Sequence, residues 1–114
     1  MLWYLHYVSE LGFLLNTLQI MTKDRFTTFI PTSKTIAEAG STTEVLLCLS
    51  ASSKSAVDEI VTAAEAAGGK QDPTAIPGND FMYGRSFEDL DGHVWELGFM
   101  DVNAMSKEQV ADQK

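Results

Sequence analysis

The chain has 114 residues, 45% of them hydrophobic, and a formal net charge of −8 from 16 acidic against 8 basic side chains. That length holds one hydrophobic core and not two independent ones, and the acidic balance, with its lysines and arginines scattered, excludes a nucleic-acid backbone as partner. No apolar run reaches bilayer length, and one cysteine with two histidines, His6 and His93, excludes an internal disulfide and a zinc site of the usual spacing, so the expected setting is a reducing cytoplasm without a membrane role.

Residues 1 to 13, "MLWYLHYVSELGF", are too densely apolar to show a period and fit either a strand or the end of a helix. They carry neither a basic leader nor a small-residue cleavage site and read as structure, not as a signal peptide. "LLNTLQIMTKDRF" reads as two short strand pieces around Asn16 and Thr17, with Leu18 and Ile20 alternating against Gln19 and Met21. "PTSKTIAEAGST" reads as a loop or a short irregular helix.

The second half is more legible. "TEVLLCLSA", 43 to 51, alternates Val45, Leu47 and Leu49 with Glu44, Leu46 and Cys48, which predicts a strand in which Cys48 serves as a small buried hydrophobe. In "SSKSAVDEIVTAAEAAGG" the residues Val57, Ile60, Val61, Ala64 and Ala67 fall at helical spacing. Ser55 and Asp58 suggest a capping box, and Gly68 with Gly69 a left-handed stop. "KQDPTAIPGND", with two prolines, allows at most a short edge strand before a loop whose tip is placed to act as a lid. "FMYGRSF" and "HVWELGFM" are two strands of a hairpin around "DLDG", and the tail "NAMSKEQVADQK" suggests a short helix from Ser106.

The hairpin carries the one carboxylate set among strand hydrophobes, Glu96, and its surroundings depend on the register. A type I turn with Gly92 in a bulge puts Ser86 opposite Glu96 and Arg85 opposite Leu97; a two-residue loop would put Arg85 across from Glu96 and give it a salt bridge. The Asp-Gly pair at the end of the turn favours the bulge. In that register Trp95, Leu97 and Phe99 share a face with Phe81, Tyr83 and Phe87 and pack against the helix. Met82, Gly84, Ser86, Val94, Glu96 and Gly98 form the other face, whose small residues leave room for a small molecule.

Strand, helix, short strand and hairpin make a βαβββ unit. Residues 42 to 101, above all "FMYGRSFEDLDGHVWELGFMD", resemble the carboxy-terminal module of the vicinal oxygen chelate superfamily, which includes glyoxalase I, bleomycin-resistance proteins and extradiol dioxygenases. The resemblance implies an α+β fold, a curved open mixed sheet with helices on its convex face, and a divalent ion in the metal-dependent members, held from the first and last strands of two paired modules. It places Glu96 on the last-strand carboxylate, where it would act as metal ligand and as the catalytic base. It places Glu44 on a first-strand ligand position and Gln19, through "TLQIMT", on the matching position of the first module. "HYVSELGF" resembles the end of the first module's helix. The implied organisation is a single domain over 1–114, with an abbreviated first module and connector at 1–41, a complete module at 42–105 and a tail at 106–114.

Three functions follow as alternatives. The first is a binding module whose concave face takes a small, partly aromatic molecule, with Glu96, Arg85 or Ser86 supplying polarity and Met82 and Val94 the walls. The second is a metal-dependent lyase, isomerase or dioxygenase using Glu96, Glu44 and Gln19, an all-oxygen set suited to magnesium or manganese more than to zinc. The third is an inert relative. The cofactor is accordingly none or a divalent ion. His93, directly after a turn, reads as exposed or hydrogen-bonded and not as catalytic. A shortened first half leaves a sheet edge and one sheet face uncovered, so a homodimer is expected, with residues 2 to 15 buried near the contact.

Overall fold

In a computed structural model that describes residues 2–10 and 13–104, the chain divides into two compact units, Met1–Glu38 and Ala39–Lys114. In the first, the dense apolar start is a strand, β1 (Leu2–Glu10), paired antiparallel with β2 (Phe13–Met21) from Leu2 opposite Met21 to Glu10 opposite Phe13. This corrects two expectations. Of "HYVSELGF", residues 6–10 and Phe13 lie in strands and not at the end of a helix, and residues 13 to 21 are one strand instead of two short pieces, because each of these residues finds a ladder partner. A five-residue helix, α1 (Lys23–Thr27), follows where a strand was expected; Thr22 caps it by accepting from the Arg25 N–H. The loop expected over 31–42 is present.

The second unit holds a mixed four-stranded sheet. Its elements are β3 (Leu47–Ser50), α2 (Lys54–Ala66), β4 (Lys70–Gln71), β5 (Met82–Glu88) and β6 (Val94–Met100), and the strand order is β3-β6-β5-β4. β3 runs parallel to β6, and the other pairs are antiparallel. The fold class is therefore α+β, as expected. β3 is shorter than the alternation suggested, beginning at Leu47 opposite Trp95. Glu44 consequently lies in an exposed bend ahead of the strand. Cys48 is exposed on the edge strand, not buried.

α2 begins two residues earlier than the expected capping box. Ser53, not Ser55, is the N-cap, its Oγ accepting from Ala56 N at 3.0 Å, while the Ser55 hydroxyl donates to Glu59 at 2.9 Å. At the other end Gly68 takes φ +98°; its N–H reaches Glu65 O, and the Gly69 N–H reaches Ala64 O, the paired bonds of a Schellman stop. Val57 and Val61 are fully buried against Leu97, with Ala51, Tyr83, Phe87 and Phe99 packed around them. Ile60, expected in this stripe, sits at its edge and is 42% exposed, since it is turned about 100° from Val61 on the helix.

The hairpin takes the bulged register. Asp89 N bonds His93 O at 2.9 Å, Gly92 N bonds Asp89 O at 3.1 Å, and Gly92 has φ +94°. Asp89 organises the turn with both carboxylate oxygens: one accepts from the N–H groups of Asp91 and His93, the other from Trp95 Nε1 at 2.9 Å. Phe87 and Trp95 stack across the strands with centroids 6.0 Å apart. The expected tail helix from Ser106 lies outside the described residues. Among those residues no helix is long and apolar enough to cross a membrane.

Candidate functional site

Strand alternation divides the expected site residues between two faces of the sheet. Ser86 pairs with Glu96 and Arg85 with Leu97. Leu97 is 1% exposed in the core with the helix residues, so Glu96 faces the side away from α2. Arg85 does not accompany it. Its guanidinium lies on the helix side, bonded through Nε to both Asp72 oxygens at 3.2 Å, through Nη1 to Asp58 at 3.1 Å and through Nη2 to Gln71 at 2.8 Å. The expected role of Arg85 in a pocket with Glu96 is thereby corrected. The guanidinium is already engaged by two carboxylates, which raise its already high pKa further.

This cluster is a clasp between helix, edge strand and hairpin. Asp72 adopts φ +49°, a left-handed turn that ends β4 and sets its carboxylate against Arg85. The hydrogen bonds from Arg85 hold the Asp72 carboxyl below its ordinary range; the Tyr83 hydroxyl, 2.7 Å away, and then Arg85 do the same for Asp58. Asp58 in turn raises the pKa of the Tyr83 hydroxyl.

On the opposite face, the space expected over the small residues is partly filled. Ser86 is completely buried. Its Oγ accepts from Thr74 N at 3.2 Å and from Thr74 Oγ1 at 3.1 Å, and donates to Thr74 O at 2.8 Å. Two residues on, Ile76 covers Gly84 so closely that a Cβ there would lie 2.8 Å from Ile76 Cγ2. The segment from Asp72 to Asp80 therefore lies across the sheet, and Ser86 is a structural anchor and not a ligand contact. Met82 and Val94 are half-buried on this face, and the Met82 N–H is taken by Asn79 Oδ1 at 2.8 Å.

What stays open lies nearer the β3 edge. Glu96 is half-buried, and Cys48, its neighbour on β3, donates its thiol hydrogen to Glu96 Oε2 at 3.2 Å. That bond, with some desolvation, raises the thiol pKa and keeps Cys48 in its poorly nucleophilic form. Next along β6, a Cβ on Gly98 would meet nothing within 4 Å. Glu96, Cys48, Ser50 and the bare backbone of Gly98 thus form a shallow acidic recess in the sheet. It can offer a carboxylate acceptor, a weak thiol donor and a hydroxyl to a small molecule.

Glu44 is exposed four residues before Cys48, the position that faces Glu96, and Gln19 is exposed on β2 in the other unit. Among the described residues no group of three or more His, Cys, Asp or Glu side chains is placed to hold a metal ion. His93 is half-buried just before β6 with its N–H on Asp89, and His6 lies on β1 opposite Thr17. Sequence reasoning missed the Cys48–Glu96 contact and the seat of Ile76. The prolines flanking Ile76 signalled a loop but not where it lands.

No family model matches the chain, and no curated protein matches it. A solved structure of the hypothetical protein SA1046 from S. aureus is similar at 29% identity with a TM-score of 0.44, over 51% of this chain and 50% of that one. The matched part spans about half the length of that protein.

Proposed function

We propose that the chain is a small-molecule-binding protein related to the vicinal oxygen chelate superfamily, which takes its ligand on the sheet face that carries Glu96. The observation that carries this reading is the half-buried Glu96 carboxylate beside the bare backbone of Gly98, with a thiol as its hydrogen-bond donor among the described residues. A partly desolvated carboxylate with so weak a donor gains when a better one arrives, and a polar group at the rim of an open recess is where ligands are oriented. The βαβββ order of the second unit and the "DLDGHVWEL" run support the kinship.

The test is amide NMR of the full chain against a panel of small aromatic amines, phenols and carboxylic acids at millimolar concentration. Shifts should concentrate on Cys48, Glu96 and Gly98. A panel that moves only amides of α2 or of the hairpin turn would refute the reading.

The same reading includes a second copy of the chain. β3 is the outer strand of its sheet, and Val45, Leu46 and Leu49 beside it are roughly half exposed or more, at 61%, 49% and 48%. An apolar strand edge invites another strand, and two-fold pairing closes it. Light scattering at micromolar concentration should give twice 12.5 kDa; a stable monomer refutes the pairing.

A further inference from the structure

The recess at Gly98 has definite walls. Gly98 pairs with Gly84 on β5 and with Ser50 on β3, and its neighbours on the same face of β6 are Glu96 and Met100. Gly84 is covered by Ile76, so the side-chain space missing at Gly98 is bounded by Ile76 and Ser50 across the sheet and by Glu96 and Met100 along it. With strands about 4.8 Å apart and same-face residues about 6.6 Å apart, these positions frame about 10 Å by 13 Å of backbone from Cα to Cα, and the missing side chain at its centre leaves a flat seat for one ring. Ile76 and Met100 offer apolar flanks to such a ring, and methionine sulfur is a good neighbour for an aromatic edge.

Among the described residues of this unit, the charge on this face has one sign left unmatched. Arg85 points to the helix side and is held by Asp58 and Asp72. Lys70, opposite Glu88 at the far edge of the sheet, holds that carboxylate at 2.7 Å. Cys48 brings a neutral thiol. The chain as a whole is acidic, with a net charge of −8. A ligand with a cationic N–H group would replace a weak thiol bond with a charge-assisted one, whereas an anion would meet Glu96 with no counter-charge beside it among the described residues of this unit.

We infer that the ligand class of this recess is a flat organic cation, an aromatic amidine or amine, that lies over Gly98 between Ile76 and Met100 and donates to Glu96. This rests on the reading of the Glu96 face as a ligand site. The probes are benzamidine, benzyl alcohol and benzoate, which share a ring and differ in charge, each titrated into the full chain and followed by amide NMR. Two variants accompany them: Glu96→Gln, which removes the charge, and Gly98→Val, which fills the recess with a residue at home in a strand and meets no neighbour at its Cβ. Benzamidine alone should shift Ser50, Glu96 and Gly98 at millimolar concentration. Glu96→Gln should weaken it at least tenfold, and Gly98→Val should abolish it. Benzyl alcohol or benzoate binding as tightly as benzamidine, or benzamidine binding unchanged in Glu96→Gln, overturns the cation assignment and leaves the site. Shifts from none of the three probes, or shifts that survive Gly98→Val, overturn the site and the assignment together.

Discussion

Replacing Gly84 with alanine tests whether the segment from Asp72 to Asp80 is seated on the sheet through Ile76. The new methyl would lie 2.8 Å from Ile76 Cγ2, 3.5 Å from Ile76 Cβ and 3.3 Å from the Leu97 carbonyl oxygen. Carbon pairs settle at about 3.5–4.0 Å, so Ile76 must retreat by about 1 Å. It cannot do so by swinging a distant tip, because its Cβ is also close and Thr74 is tied to Ser86 two residues earlier. Overpacking of this kind costs about 1–3 kcal/mol, and the smaller entropy of the unfolded alanine chain returns about 0.4–1. The expected net loss is about 1–2 kcal/mol by urea denaturation, with faster amide exchange across residues 72–80. Ile76→Ala removes the clash, so the double variant should be more stable than the two single losses combined, by about 1 kcal/mol. A Gly84→Ala protein as stable as the parent, with exchange in the segment unchanged, would refute the seat.

Three further outcomes are expected. Gly92→Ala should cost about 1–3 kcal/mol, measured by thermal or urea unfolding, because the residue has φ +94° and its Cβ would lie 2.8 Å from the Ala39 carbonyl. Cys48 is exposed but held protonated by Glu96, so Glu96→Gln should move the pH profile of its alkylation by iodoacetamide to lower pH; an unmoved profile would mean that the thiol and carboxylate do not meet in solution. The carboxyls of Asp58 and Asp72 are depressed in the folded chain, so their contribution to stability is complete above the unfolded value of about 3.9 and is lost as pH falls through the folded values. Urea midpoints should therefore drop below about pH 4 with a slope that Asp72→Asn reduces, and an identical slope in that variant would remove the clasp from the acid response.

Local physics made much of the second unit readable in advance. The helix from Lys54 followed from its apolar spacing and its glycine stop, and the hairpin register followed from Gly92, because a bulge fixes which residues oppose each other. Once that register stood, alternation also set Glu96 on one face and Leu97 and Arg85 on the other; the pocket role expected of Arg85 conflicted with the pattern that placed it. The resemblance that suggested a helix end in "HYVSELGF" failed locally, since dense apolar residues satisfy a paired strand as readily as a helix.

The sequence by itself determined the composition class, the βαβββ order, the hairpin register and the faces of β5 and β6, all of which depend on neighbours a few residues away. Only the tertiary structure decided that Ile76 covers Gly84 and Thr74 buries Ser86, that Asp58 and Asp72 meet on Arg85, and that Cys48 reaches Glu96. The physical reason is range. Cys48 and Glu96 lie 48 positions apart, and no periodicity or turn preference records which side chains a parallel strand pairing will bring within hydrogen-bond reach. A Cβ on Gly98 would meet nothing within 4 Å while one on Gly84 beside it would meet Ile76, a difference between two glycines that sequence alone does not distinguish.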